Sequence, residues 1–477
     1  MTKTVLIWLI IGLASFAFLP WHMTDDGLLD PEWITDGVAS TGLSSMLAGQ
    51  WWLAPAALAL VLATAVQLVV ADPVRRARLT LGIAMAGLAL IAVQGLIIVR
   101  AGPRVFEGLF TGETLMAGQP GMGAGAGLCA LALLFAATIS LSQSGKGQGD
   151  AFVVSTIGLI VAMVAIFVFF PVVHILVRAF EVDGGYALTE FFPRFLSREI
   201  WGLGCLFGAR SCGVGSNSLF LAILTGAGTT LLGLSFALIF TRTGFRAKKL
   251  LRVLTVLPII TPPFVIGLAL ILLFGRAGTV TEFFADLFGW EQPRWLYGFW
   301  GIYFAQLLSF TPIAFLVLIG VVQGVSPSME EASQTLDADR WQTFRYVSLP
   351  LMRPGRANAC LLGFIESLAD FGNPLVLGGG YSVLSTEIYF AIVGAVADPA
   401  KAAILAIALL TLTLSAFMAQ RLWLGNKSYA TITGKADSGQ NAGLNPVLRG
   451  LCYAPALPWA ALTQIVYSMI VFGSFVK

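Results

Sequence analysis

The sequence predicts an all-α, polytopic membrane protein with about eleven transmembrane helices. Three observations predict it. Of 477 residues, 57% are hydrophobic and 11% charged, against ~25% charged residues in soluble domains. Eleven stretches approach the ~20 largely apolar residues that a bilayer crossing needs. No stretch alternates apolar and polar residues as a transmembrane β-strand does. The mean hydropathy of +0.85 excludes a soluble enzyme, a nucleic-acid binder and a disordered chain. The net charge of +3 points to no strongly acidic or basic partner. The 52 Gly, 34 Phe and 12 Trp suit helices packed in lipid, where small residues allow close approach and aromatics mark the interfaces.

The apolar stretches are 4–20, 51–71, 80–99, 121–142, 152–177, 216–241, 254–274, 298–325, 357–377, 400–424 and 451–475. The first lacks a small-residue cleavage site and reads as a retained span. Orientation follows from the positive charges. Between the first two spans lie Asp25, Asp26, Asp30, Glu32 and Asp36 without Lys or Arg. The next loop carries Arg75, Arg76 and Arg78, and the loop after span six carries Arg242, Arg246, Lys248, Lys249 and Arg252. A cytoplasmic N-terminus puts both basic loops inside and the acidic stretch outside. Polar segments at 143–150 and 426–448 divide the chain into a four-span leader (1–149), a six-span block (150–424), and a linker with one further span (425–477).

The loop between spans eight and nine, 326–350, stands apart. Ser326-Pro327 suits a helix start, and Ser328 with Glu331 has capping-box spacing. Met329, Ala332 and Leu336 form an apolar stripe at helical spacing, which on a cytoplasmic helix needs something to cover it. Pro350 is expected to stop any continuation.

Glu331-Ala332-Ser333, followed by Asp337 and then Val347-Ser348-Leu349-Pro350, resembles the EAA signature of ABC-importer permeases. That pattern is E-A-A, then Gly, then I-x-L-P. Here Ser333 stands at the third position and Asp337 at the Gly. The segments 257–264 and 366–374 resemble the ferric-iron branch of these permeases, close to the thiamine, polyamine and phosphonate branches. The resemblance covers roughly 150–477. It implies a six-helix permease core whose EAA loop, 326–356, docks on an ATPase through Glu331, Ala332, Leu336, Asp337, Leu349 and Pro350. Members typically fuse two six-span halves, each with its own EAA loop. Span eleven, running inside to outside after a polar linker as span five does, looks like the first span of a second half. A plain capped surface helix is the alternative for the loop, and Glu331 as a mere cap is compatible with docking.

Other candidates lie within spans. Glu366 and Asp370 are four apart and are expected to share a helix face, continued by Asn373. Two carboxylates and an amide oxygen suit a transient hard cation; hydrogen bonding to neighbouring helices near a gate is the bland reading. Pro262 and Pro263 are expected to bend span seven. His22 and His174 have no partners at metal-ligand spacing, so no firm metal site is expected. Cys205 and Cys212 fall in an outer loop, where a disulfide and two free thiols both remain open. Cys129, Cys360 and Cys452 read as packed small hydrophobes.

The resemblance thus implies a permease subunit of an ATP-driven importer in the bacterial inner membrane, without enzymatic activity, moving ferric iron. Thiamine, polyamine or phosphonate are the alternative cargoes, and an ion-coupled secondary transporter is the remoter one. No G-x-x-x-x-G-K-[ST] phosphate cradle is present in the sequence. ATP and Mg²⁺ would therefore be bound by a separate ATPase. An extracytoplasmic binding protein, a second permease half and the lipid bilayer complete the expected partners.

Overall fold

The computed structural model describes residues 2–23, 41–47, 50–97, 121–144, 150–182, 185–207, 212–289, 294–425, 443–473 and 475. The acidic stretch 24–36 used for orientation lies outside the described residues. Helices make up nearly all of the regular structure. The strands among the described residues are Glu181–Val182 and Gly185–Tyr186, an antiparallel pair with Glu181 opposite Tyr186.

Among the described residues eight helices are long and apolar enough to cross a membrane: Pro73–Gly95, Ala124–Gln143, Ala151–Arg178, Val214–Arg242, Pro263–Phe288, Phe299–Gln323, Pro399–Leu424 and Pro446–Gly473. Three apolar helices are shorter, Lys3–Phe18, Ala54–Val69 and Leu384–Val393. The last of these is absent from the eleven expected stretches. Two of those stretches differ from continuous spans for identifiable reasons. The seventh is broken rather than bent. Helix Lys248–Val256 passes into a 3-10 turn, Leu257–Ile259, and the chain re-enters helix only at Pro263–Phe274 with Pro262 as N-cap. Pro258, Pro262 and Pro263 remove three backbone donors within six residues, more than one kink can absorb. The ninth runs as Arg353–Ala369, leaves helix geometry at Asp370, and resumes as Gly372–Leu377.

The chain forms two compact units, Met1–Val172 and Val173–Lys477. In the first, Leu9, Leu60 and Leu133 are fully buried among Ala56, Ala63, Ala132 and Ala136. These small residues let helices in lipid approach closely. Thr138 donates to Ser155 at 3.1 Å, and the His22 imidazole pairs with the Gln50 amide at 3.1 Å.

In the second unit, helix Val214–Arg242 is central. A Cβ at Gly226 would stand 2.8 Å from the Cys360 carbonyl oxygen, and one at Gly233 would stand 2.8 Å from the Phe315 amide nitrogen. Helices Arg353–Ala369 and Phe299–Gln323 therefore pack backbone against backbone on it. Leu448, Cys452, Ala456 and Ala460 of the last helix join the core cluster of Phe236, Phe315 and Leu318. In the segment before helix Val214–Arg242, Cys205 and Cys212 are disulfide-bonded, with Cα atoms 4.8 Å apart. Beside this bond the Gly213 amide donates to the Gly202 carbonyl at 2.7 Å.

Candidate functional site

The 326–350 loop forms a compact structure between two long helices. Ser326 is the N-cap of helix Pro327–Thr335, and Pro327 occupies its first turn, where a missing N–H costs nothing. Ser328 lies inside this helix and is no cap. The capping box forms one turn later. There the Asp339 carboxylate accepts from the Gln342 amide at 2.7 Å, and the Gln342 side chain accepts from the Asp339 amide at 3.0 Å.

Between the two helical turns Asp337 has φ +63°. This is the position where the EAA signature has Gly. The left-handed region strains most L-residues, but Asp tolerates it as a single residue. The turn is thus as tight as a glycine turn: the Asp337 amide donates to Gln334 and the Ala338 amide to Ser333. Asp337→Val is expected to destabilise the second unit by about 1–2 kcal/mol, with Asp337→Gly tolerated. Thermal unfolding in detergent measures both.

Pro350 does not end the helix. A π-helical turn, Phe344–Ser348, precedes it, and helix continues through Leu349–Leu351 into Arg353–Ala369. The wider turn shifts the hydrogen-bond register, and Pro350 sits at the start of the next turn, where its absent N–H is tolerated. Leu349 packs at the edge of the core, and its carbonyl accepts from Arg356 at 3.2 Å.

Helix Pro327–Thr335 turns its apolar stripe outward. Met329 is 51% and Leu336 83% exposed, and Ala332 and Glu331 are exposed too. Its inward side is polar. Glu330, not Glu331, is fully buried. Its carboxylate accepts two bonds from Arg242 Nη1 at 2.5 and 2.6 Å and one from the Ser348 hydroxyl at 2.6 Å. Ser333 and Thr343 hydroxyls meet at 2.9 Å and pin the helix to the next turn. Sequence reasoning missed Glu330. At 100° per residue the stripe at 329, 332 and 336 lies about equally far from 330 and 331, so spacing does not separate the two glutamates. Arg242, just past the end of span six, is the counter-charge a buried Glu needs.

A second polar cluster lies deeper in this unit. Asp370 is 6% exposed, and Gln306 and Asn373 are fully buried. Asp370 Oδ2 accepts from Gln306 Nε2 at 3.0 Å and from Asn373 Nδ2 at 2.9 Å. Gln306 Oε1 accepts from the Thr225 and Ser367 hydroxyls at 2.9 and 2.7 Å. Asp370 and Asn373 therefore meet across a helix break rather than along one helix face. Glu366, half-buried, sits on helix Arg353–Ala369 before the break. A Cβ at Gly372 would stand 3.1 Å from the Phe264 amide nitrogen, so this break abuts the one at Pro262-Pro263. The sequence signalled a bend at Pro262-Pro263 but neither the break at Asp370 nor its contact with the first. Among the described residues no group of three or more His, Cys, Asp or Glu could hold a metal ion.

Comparison with known proteins fits this architecture. The family described as binding-protein-dependent transport system inner membrane component matches residues 229–423. A ferric transport system permease protein, FbpB, of Actinobacillus pleuropneumoniae is 42% identical over 328 residues, covering 69% of this chain and 46% of that protein. A putative ferric transport system permease protein, FbpB 1, of Haemophilus influenzae is 41% identical, covering 69% of this chain and 50% of that protein. The chain thus spans about half the length of the curated relatives it matches. A solved bacterial ABC transporter involved in the import of alginate is similar at 18% identity and a TM-score of 0.47, covering 57% of this chain and 96% of that one. The family match at 229–423 includes the whole 326–350 loop and Gln306, Ser367, Asp370 and Asn373, and begins after Thr225. Over residues 229–423 the chain is thus similar to the binding-protein-dependent transport system inner membrane component family.

Proposed function

We propose that this chain is the membrane-spanning subunit of an ATP-driven importer in a bacterial inner membrane. It performs no covalent chemistry. The observation that carries the reading is the outward apolar face of helix Pro327–Thr335, held by a buried ion pair on its other side. A helix fastened inward by charge and left apolar outward is built to be covered by a partner. The occupant proposed is an ATPase subunit, which binds ATP and Mg²⁺ itself. The proposed cargo is ferric iron, brought by an extracytoplasmic binding protein; the kinship with two ferric transport permeases supports it.

The remaining parts follow from the same reading. The basic loops at Arg75–Arg78 and Arg242–Arg252 favour a cytoplasmic N-terminus. A pathway between two six-span halves requires a second half, fused or as another copy. The abutting breaks at Pro262-Pro263 and at Asp370–Gly372, with Glu366 and Asn373 beside them, are proposed to line that pathway as a gate. Irregular backbone at membrane depth is tolerated where it faces protein or a water-filled cavity. An ion-coupled transporter would use Glu366 and Asp370 as ion sites and would leave the docking helix without a role.

Leu336→Asp tests the reading. Leu336 is 83% exposed, so thermal unfolding of the chain is expected to stay unchanged. At a desolvated contact the new charge costs several kcal/mol. The expected result is loss of ATPase co-purification and of ferric iron uptake. Undiminished co-purification and uptake would overturn the assignment.

A further inference from the structure

The docking helix is joined covalently to two long helices. Phe299–Gln323 leads into it through Gly324 and Val325, and Arg353–Ala369 follows it through the π turn. The central helix Val214–Arg242 has no such join, because Arg242 and Glu330 are 88 residues apart in sequence. The two are fastened by side chains alone. Arg242 is the last residue of its helix, its side chain is 4% exposed, and that of Glu330 is 0% exposed. Ser348, within the π turn, donates to the same carboxylate. The void beside the three groups measures about 10 Å³, room for one water at most. Leu238, Phe344, Met352 and Leu444 line it, together with Arg340 and Thr343. Pulling the pair apart there leaves two charges without compensation, so the join resists separation.

The central helix also enters the polar cluster. Thr225 donates to Gln306, which donates in turn to Asp370. Thr225 lies 17 residues before Arg242, or about 25 Å along the helix axis. A displacement at the cytoplasmic face therefore has a stiff route to the helix break at Asp370.

We propose that Arg242, Glu330 and Ser348 form a positioning link that makes the docking helix and helix Val214–Arg242 move as one body, carrying motion of a bound ATPase to the Asp370 cluster. The proposal rests on the importer reading for the source of the motion, and the link itself stands without it.

The test uses nitroxide labels on L231C and Q334C, two exposed positions on the joined helices, in the full chain. In the isolated chain in detergent, the label distance distribution is expected to be narrow. In R242M/E330M, which keeps the volume apolar, it is expected to broaden at least twofold. If that double variant does not fold, E330Q, which keeps the shape, is measured in its place. With the ATPase bound, the distance is expected to be the same without nucleotide and with ATP. Equal widths with and without the pair, or a distance in the wild-type link that changes on ATP binding, would overturn the proposal. Failure of any ATPase to co-purify with the unaltered chain would remove the importer reading and leave the isolated-chain result to decide the link.

Discussion

Glu330→Ala is expected to destabilise the second unit by about 3–5 kcal/mol, whereas Glu331→Ala, one residue on, is expected to stay within about 0.5 kcal/mol. The two glutamates differ only in which side of a nine-residue helix they occupy. Glu330 has no solvent exposure and satisfies Arg242 and Ser348 together. Truncating it leaves the buried Arg242 guanidinium without that carboxylate, with Arg340 beside the same void. Glu331 points away from the fold, so its loss touches no buried group. Thermal unfolding in detergent, followed by intrinsic fluorescence, measures both. Similar losses for the two variants would show that the ion pair contributes little to the fold.

Gly226→Leu is expected to disrupt the packing of the central helix, with a loss at or above the ~1–3 kcal/mol typical of overpacked cores. The first added carbon would already stand 2.8 Å from the Cys360 carbonyl oxygen and 3.2 Å from the Phe364 amide nitrogen. Both obstacles are backbone, so neither can rotate aside, and the helices must separate. Separation would also pull Ser367 from Gln306 two turns away. Gly320 is the control, since nothing lies within 4 Å of a Cβ there. Gly320→Ala is expected to be neutral or to stabilise its helix by up to ~1 kcal/mol. Folded yield after detergent extraction, together with the unfolding midpoint, separates the two. Wild-type behaviour of Gly226→Leu would refute the close approach.

Much of the fold was legible because lipid imposes a simple rule: backbone must be helical and side chains apolar over a fixed length. The helices from Ala124 to Gln143 and from Val214 to Arg242 fall within a few residues of the expected stretches for that reason. Where the rule relaxes, the reading lost detail. Pro262 and Pro263 signalled an interruption, but three prolines break a helix where two suggested a bend. Asp370 was expected on a helix face with Asn373; it leaves helix geometry because its carboxylate bonds the Asn373 amide nitrogen at 3.3 Å. Helix Leu384–Val393 was missed because ten residues fall short of any span criterion. In the 326–350 loop, spacing found the turn at Asp337 and the apolar stripe. It could not tell Glu330 from Glu331, since the distinction depends on Arg242, which arrives from another helix.

The π turn at Phe344–Ser348 bears on how this loop can change over time or by engineering. Ser348 returns to Glu330 across 18 positions, and every residue between them sets its angular phase. Removing one residue from 338–346 would rotate everything downstream by about 100°, carrying Ser348 away from the carboxylate and Pro350 out of its tolerated place. Exposed positions such as Trp341, Arg345 and Tyr346 bear no such duty. The segment therefore behaves as a ruler: its length is heritable information, and its outward letters are free text. A library that varies the outward face should randomise 329, 332, 336, 341 and 346 and admit no insertion or deletion.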